Sequence, residues 1–214
     1  MAGPLRVVVI DDHQVFGVSL ARALSDEDDI EIVGVATSTA TALALVTPDV
    51  DVALCDFRLA DGDGISLTRS MLQQCPQLKV VMLTASNDDA VLAAALDAGC
   101  AGFVTKSEPL ATVVHAVRSA AVGEAVITPA LLARLLPRLG ARQRGRNPDL
   151  SPREQEVLVL VARGGSNQQI ADALNLSRDT VRNHVSAVLS KLGVNSKLQA
   201  AAVAVQRGLI DLSP

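Results

Sequence analysis

The stretch VVVIDDHQVF, residues 7–16, joins four apolar residues directly to two aspartates and a histidine. A continuous apolar run of this kind is typical of a buried strand, yet it ends in two carboxylates, which are among the side chains most costly to bury. One carboxylate at this point would suit the start of a helix. Two adjacent carboxylates favour a site in which something positive lies between them.

This first run opens a series of short apolar runs that alternate with helical patterns. The runs are rich in Val and mostly continuous, which is typical of parallel strands covered on both faces. A strand followed by a helix five times predicts a parallel sheet between two layers of helices, hence an α/β domain over residues 1–121. The predicted strands are 6–10, 30–36, 50–55, 79–84 and 101–105, and the predicted helices are 14–26, 38–46, 64–73, 88–97 and 108–121.

The rest of the chain has a different character. Residues 122–149 are predicted to be a linker, because TPALLARLL (128–136) suits only a short helix and the Arg-, Gly- and Pro-rich stretch after it has nothing to pack. Residues 150–214 are helical in pattern throughout. SPRE (151–154) and SNQQ (166–169) both carry the capping-box signature of a helix start. An apolar stripe runs along residues 178–193, so we expect an all-α domain of four helices.

Composition and charge narrow the classes of function. The chain has three Phe and no Tyr or Trp, which disfavours sites built on stacked bases, sugar platforms or aromatic cages. Residues 1–120 carry 7 Lys+Arg against 16 Asp+Glu, whereas residues 150–214 carry 7 against 5, so we expect two domains with different partners. Three cysteines without metal-ligand spacing, no signal-peptide pattern and no long apolar run predict a soluble, cytoplasmic protein without membrane contact.

The polar side chains that end the predicted strands form the candidate site. Because ligands bind beyond the carboxyl ends of parallel strands, these side chains should meet at one rim, and the second strand, which ends without one, should lie at the edge. Three carboxylates repel one another unless a cation lies among them, and Mg²⁺ prefers such oxygen ligands. Asp56 suits the role of a nucleophile toward phosphorus, because it is central and leaves the other two carboxylates for the metal. The set is Asp11, Asp12, Asp56, Thr84 and Lys106.

Residues 5–120 resemble the receiver domain of bacterial two-component response regulators. The resemblance implies a five-stranded parallel sheet of order 2-1-3-4-5 with helices on both faces, and a sensor histidine kinase as partner. It implies further that Asp56 is the phospho-acceptor. The motifs that carry it are VIDDH (9–13), LCDFRLADGDG (54–64), MLTAS (82–86) and GFVTKSEP (102–109).

The same resemblance divides the other roles among metal ligands, phosphoryl contacts and a switch. Phe103 matches an aromatic position whose ring turns inward when the Thr moves toward phosphate, and a plain core ring is an equal alternative. His13 is interpreted as a loop or helix-start residue rather than a general base. The metal ligands implied are Asp11, Asp12, Asp56 and the carbonyl of Arg58, and the phosphoryl contacts are Thr84 and Lys106.

Residues 150–194 resemble the LuxR-type helix-turn-helix of the NarL/FixJ class. The resemblance implies that helix 166–174 braces helix 177–191, which lies in the major groove. Arg182 suits guanine and Asn183 suits adenine. The modest positive charge predicts weak binding by one copy, and hence a homodimer on paired half-sites of double-stranded DNA. The predicted DNA contacts are Ser177, Arg178, Thr180, Arg182, Asn183, Ser186 and Lys191.

These observations predict a DNA-binding transcriptional response regulator that is switched by Mg-dependent phosphorylation of Asp56 and is not a turnover enzyme. Two other classes remain as alternatives. A phosphatase of the haloacid dehalogenase type also uses a carboxylate nucleophile with Mg²⁺, but it places a second Asp two residues later, where this chain has Arg58. A ligand-sensing regulator of the quorum type shares the helix-turn-helix, but its ligand pocket is formed largely by Trp and Tyr, which this chain lacks.

Overall fold

The computed structural model describes residues 3–85, 89–126 and 149–210 of the chain. Its strands, in chain order, are β1 (Leu5–Ile10), β2 (Ile30–Ala36), β3 (Val52–Asp56), the two-residue β4 (Arg58–Leu59) and β5 (Gly62–Asp63), β6 (Lys79–Thr84) and β7 (Gly102–Thr105). The helices of the same half are α1 (Gln14–Ser25), α2 (Thr39–Leu45), α3 (Gly64–Gln74), α4 (Asp89–Asp97) and α5 (Leu110–Ala121). Residues 149–210 contain α6 (Pro152–Ala162), α7 (Asn167–Leu174), α8 (Arg178–Leu192) and α9 (Lys197–Gln206).

The main sheet has five parallel strands in the order β2-β1-β3-β6-β7. Counted without the β4–β5 hairpin, this is the expected order 2-1-3-4-5. Successive residues of β1 point to opposite sides, so Val8 joins the apolar layer under α2 and α3 while Val9 joins the layer under α1 and α5. The continuous apolar runs of the sequence therefore reflect burial on both faces, and the predicted α/β fold is confirmed.

The boundaries in this half differ from the prediction by at most two residues. The third strand covers Val52–Asp56 rather than 50–55, because the Val50 N–H is bonded to the Thr47 carbonyl in a turn at 3.0 Å. The fifth helix begins at Leu110 rather than 108, because Pro109 is its N-cap. The short helix predicted at 128–136, and most of the predicted linker around it, lie outside the described residues.

The helical half begins its helices at the predicted caps. Ser151 with Glu154, and Ser166 with Gln169, form complete capping boxes at the starts of α6 and α7. The α8 helix ends at Gly193, whose positive φ of 71° suits glycine. The predicted all-α domain of four helices is confirmed. Within the described parts of the chain, no helix combines the length and the apolar character needed to cross a bilayer.

The two halves pack together along α4 and α9. Leu92 and Leu96 of α4 share one buried apolar cluster with Leu198 of α9. At the edge of this cluster, the Ser196 hydroxyl donates a hydrogen bond of 3.0 Å to the carbonyl of Cys100. The helical half therefore packs on the α4 side of the sheet. Burial of apolar side chains is the main contribution to the stability of this contact.

Candidate functional site

The rim of the main sheet carries four of the predicted polar side chains. Asp11 directly follows β1, Asp56 is the last residue of β3, Thr84 is the last residue of β6, and Lys106 directly follows β7. Since parallel strands end on the same side, their tips meet. Asp11, Asp56 and Thr84 are all at least 95% buried, so the rim is a shielded polar pocket rather than a solvated surface.

Lys106 neutralises the two buried carboxylates. Its Nζ lies 2.7 Å from Asp56 Oδ2, to which it donates a hydrogen bond, and 2.7 Å from Asp11 Oδ2. Burial of the ammonium alone would lower the pKa of Lys106, but the contacts with Asp11 and Asp56 outweigh burial and hold this pKa above its ordinary value. The ammonium stays charged at neutral pH and is available to any anion that reaches Asp56.

The rim also meets the requirements of a divalent metal site. One ligand atom from each of Asp11, Asp12, His13 and Asp56 lies within 4.8 Å of the others. Asp11 Oδ2 is fully buried and, apart from its ion pair with Lys106, has no aligned hydrogen bond. A buried carboxylate oxygen with unused acceptor capacity fits a hard cation, so the residues present suit Mg²⁺.

His13 and Phe16 also contact the charged side chains of the rim. The His13 ring reaches the acidic pair, with Nδ1 at 2.9 Å from Asp12 Oδ1, and its backbone N–H donates to Asp11 Oδ1 at 2.9 Å. The Phe16 ring lies under Lys106, with its centroid 4.8 Å from Nζ. The adjacency of His13 to the acidic pair is visible in the sequence, whereas the contact of Phe16 across 90 residues is not.

Arg58 lies at the mouth of the pocket, in the β4–β5 hairpin. Its backbone N–H donates a hydrogen bond of 3.4 Å to Asp56 Oδ1, and its side chain is exposed. Asp61, at the tip of the hairpin, accepts hydrogen bonds from the backbone and hydroxyl of Thr39. The hairpin is therefore tied to the start of α2, and it holds the backbone of residue 58 beside Asp56.

Phe103 lies between the rim and the second half of the chain. The ring is partly buried and packs against both the cluster shared by α4 and α9 and the layer under α2 and α3. A cavity of about 630 Å³ is lined by Phe103, Thr84 and Leu92 among others. Phe103 and Thr84 therefore line the same open space.

The predicted DNA-contacting residues lie on and just before α8. Ser177 is the N-cap of the helix, where its hydroxyl accepts a hydrogen bond from the Thr180 N–H at 3.1 Å. Thr180 is half-buried, and the remaining members are exposed. Six of the seven predicted residues are therefore accessible on or next to α8; the full set comprises Ser177, Arg178, Thr180, Arg182, Asn183, Ser186 and Lys191.

Lys191 has an intramolecular partner that the sequence did not indicate. Its Nζ lies 2.7 Å from Glu154 Oε2 and 3.0 Å from the carbonyl of Asp149. Glu154 is also the capping-box residue of α6, and it is nearly buried. Lys191 thus joins the end of α8 to the start of α6, and a DNA phosphate would have to compete with Glu154 for the ammonium.

We expect Lys191→Met to lower the free energy of unfolding of the helical half by about 1 kcal/mol at pH 7, because Glu154 loses its cation. The hydrogen bond from Lys191 lowers the pKa of Glu154 below its ordinary value of 4.5. This contribution is therefore present above about pH 4.5 and is lost as the pH falls through the folded-state pKa. Urea titrations at pH 7 and pH 3 measure it, with exposed Arg178→Met as control; an equal loss at both pH values contradicts the assignment.

A cleft of about 590 Å³ separates α8 from the first half of the chain. Gln77 and Lys79 line one side, and Arg182 and Ser186 line the other. The face of α8 that carries these two residues is thus turned toward the sheet domain across open space. The sheet domain therefore lies on the side from which DNA would have to approach these two residues.

Polar contacts bridge the two halves next to the cleft. The Asn167 side-chain amide donates to the carbonyl of Val122 at 3.2 Å, and the Asn167 backbone N–H donates to Glu124 Oε1 at 3.3 Å. Nearby, Lys197 is almost fully buried, and its ammonium donates a hydrogen bond of 3.4 Å to the Gly165 carbonyl. Burial lowers the pKa of Lys197 to about 8, and the charge of Glu124 acts in the opposite direction.

Comparison with known proteins gives two family matches and several full-length relatives. The family described as response regulator receiver domain matches residues 7–118, and the family described as bacterial regulatory proteins, luxR family, matches residues 148–204. The response regulator protein VraR of Staphylococcus epidermidis is 36% identical over 208 residues, which are 97% of this chain and 99% of that protein.

Solved structures agree with these matches. The response regulator ChrA of a heme-sensing two-component system is 32% identical, with a TM-score of 0.52 over 98% of this chain and 100% of that one. RcsB from Salmonella enterica serovar Typhimurium, bound to promoter rprA in the presence of the phosphomimetic BeF₃⁻, is 29% identical, with a TM-score of 0.53 over 96% of this chain and 100% of that one.

Proposed function

Since the chain belongs to the response regulators that join a receiver domain to a LuxR-type DNA-binding domain, we propose that a sensor histidine kinase phosphorylates Asp56 with Mg²⁺ and thereby controls DNA binding. The observation that carries the proposal is the meeting of three carboxylates and the Lys106 ammonium at one rim. The corresponding domains are residues 1–121, 122–149 and 150–214, and the protein works in the cytoplasm.

Asp56 is the nucleophile in this account. One carboxylate oxygen bonds to phosphorus, while the bond from phosphorus to the kinase imidazole nitrogen breaks and its electron pair stays on nitrogen. Lys106 and the Thr84 hydroxyl donate hydrogen bonds to the phosphoryl oxygens. Bound Mg²⁺ would neutralise charge on the same oxygens. The phosphoryl group stays on the protein, which therefore acts as a switch and not as a turnover enzyme. The proposed metal ligands are Asp11, Asp12, Asp56 and the Arg58 carbonyl.

The α8 helix supplies the DNA contacts in this account. Arg182 and Asn183 read base edges, and the residues toward the ends of the helix hold phosphates. A relative supports this use of the fold, because RcsB is described as bound to a promoter. Another RcsB structure is described as two dimers bound to two parallel DNAs, which supports a homodimer on paired half-sites. The proposed contacts are Ser177, Arg178, Thr180, Arg182, Asn183, Ser186 and Lys191.

Phosphorylation acts by releasing the DNA-binding half. In the arrangement seen here, which we call the closed form, the face of α8 with Arg182 and Ser186 is turned toward the receiver, which lies on the side from which DNA would approach. Movement of Thr84 toward the phosphoryl group leaves space for the Phe103 ring, which also packs on the cluster shared by α4 and α9. We infer that this movement weakens the packing of α9 on α4, so that the population shifts toward an open form that binds DNA.

A DNA-shift titration with and without Mg²⁺ and beryllofluoride tests the proposed function. We expect the phosphoryl mimic to raise the DNA affinity of the wild-type protein about tenfold, within the usual range of coupling energies. Asp56→Asn should show no response, while Asp28→Asn, an exposed carboxylate in the loop before β2, should respond like the wild type. Unchanged affinity and unchanged mass of the wild-type protein in the presence of the mimic would contradict the switch.

We expect Glu124→Ala to raise the DNA affinity of the unphosphorylated protein about fivefold, the change that about 1 kcal/mol produces. The substitution removes the acceptor for the Asn167 N–H and the negative charge beside buried Lys197, so closure becomes less favourable. Fluorescence anisotropy with labelled DNA measures the change, and exposed Glu108→Ala is the matched control. Equal affinity of both variants would show that Glu124 does not stabilise the closed form.

A further inference from the structure

Phe16 gives Lys106 a partner of a different kind from the carboxylates. It lies in the first turn of α1, and its ring centroid is 4.8 Å from Lys106 Nζ. Unlike the two carboxylates that contact this ammonium, the Phe16 ring carries no negative charge. A cation over the face of an aromatic ring is attracted by the ring quadrupole, and more strongly when water is partly excluded.

The two carboxylate contacts of Lys106 change during the proposed reaction, whereas the Phe16 ring takes no part in the bonds that form or break. Asp11 and Asp56 are the groups that also suit the metal, and Asp56 loses a carboxylate oxygen to the bond with phosphorus. Lys106 then has to leave one acceptor and find a phosphoryl oxygen. A four-carbon stem released from its ion pairs has many rotamers, so a contact that persists through the exchange limits where Nζ can go.

We propose that Phe16 is a positioning residue for phosphorylation, which holds the Lys106 ammonium at the rim while its carboxylate partners are exchanged for the phosphoryl group. The inference rests on the proposed function, since it assigns a role within the same site. Phe16 acts through Lys106 and does not itself touch the reacting atoms.

The surroundings of Phe16 combine core packing with the contact to Lys106. The ring is half-buried, and it lines a cavity of about 230 Å³ together with Lys106, Leu20 and Leu83. The ring also packs against the apolar layer under α1 and α5, so this layer fixes the ring in the place where it faces the ammonium. We therefore expect its electronic character, and not only its volume, to affect the reaction.

A fluorination series at position 16 separates the two roles. Site-specific replacement of Phe16 by mono-, di- and trifluorinated phenylalanine changes the ring volume little but progressively weakens its attraction for a cation. With acetyl phosphate and Mg²⁺, we expect the rate of Asp56 phosphorylation to fall stepwise along the series, and Phe16→Leu to be about fivefold slower than the wild type. Phe16→Trp should retain the rate. The same fluorinated residues at Phe57, on the opposite face of the sheet, are the control.

Proton NMR of the metal-free, unphosphorylated protein gives a second readout. The ring current of Phe16 should shift the Lys106 ε-methylene protons upfield, and Phe16→Leu should abolish the shift. Equal phosphorylation rates along the fluorinated series, or absence of the shift in the wild type, would overturn the proposal. If the wild-type protein takes up no phosphate at all, the proposed function fails instead, and the NMR shift alone then decides whether Phe16 holds Lys106.

Discussion

Lys106→Met is expected to lower the free energy of unfolding by about 3 kcal/mol in the absence of divalent ions. The substitution keeps the apolar stem but leaves Asp11 and Asp56 facing each other without a cation. Asp11 is fully buried and Asp56 is 95% buried, so both carboxylates are poorly hydrated once the ammonium is removed. Chemical denaturation with a chelator present measures the loss.

Mg²⁺ should restore most of the stability of Lys106→Met, because a divalent ion at the same carboxylates neutralises their repulsion. It should not restore the chemistry, and we expect phosphorylation by acetyl phosphate to remain about 100-fold slower than in the wild type, since one donor to the phosphoryl oxygens is missing. Lys79→Met is the matched control, because Lys79 is half-buried and begins β6, at the edge of the sheet opposite the rim. Unchanged stability of the chelated variant would contradict the charge balance described for the rim.

Gly64→Ala should be the most damaging substitution of a single methyl group near the site. A Cβ at this position would lie 2.2 Å from the carbonyl oxygen of Asp56 and 3.1 Å from the Phe57 Cα. Both neighbours are backbone, so the start of α3 can make room only by moving the end of β3. We expect a loss of about 3 kcal/mol or more in the free energy of unfolding, at the upper end of single substitutions.

A neighbouring glycine provides the control for this prediction. A Cβ at Gly62 would meet the methyl group of Thr39 at 3.1 Å, and that side chain can shift. Gly62→Ala should therefore cost less than about 1 kcal/mol. Thermal unfolding of both variants decides the comparison, and two similar melting temperatures would show that residue 64 is not wedged against Asp56.

Much of the fold could be predicted because each strand carries its own local signal. Apolar runs of about five residues with polar ends are a pattern of neighbouring residues, and the parallel arrangement then brings Asp11, Asp56, Thr84 and Lys106 to one rim. The capping boxes at Ser151 and Ser166 are equally local, and they marked the starts of α6 and α7 correctly.

The contacts that the sequence did not reveal join residues far apart in the chain. Lys191 and Glu154 are 37 residues apart, and Asn167 and Glu124 are 43 apart. Neither pair belongs to a periodic pattern, because a long polar side chain can reach several partners and the choice depends on how whole elements pack. The seating of α9 on α4 is of the same kind, since an apolar face on a helix does not specify its partner.

Intact-mass spectrometry after incubation with acetyl phosphate and Mg²⁺ tests most directly whether the rim accepts phosphorus at Asp56. The wild-type protein and Asp28→Asn should each gain the mass of one phosphoryl group, and Asp56→Asn should gain none. Peptide mapping should locate the group on residues 52–56. Phosphate on the Asp56→Asn protein, or a wild-type protein that gains no mass while Mg²⁺ is bound, would contradict the account.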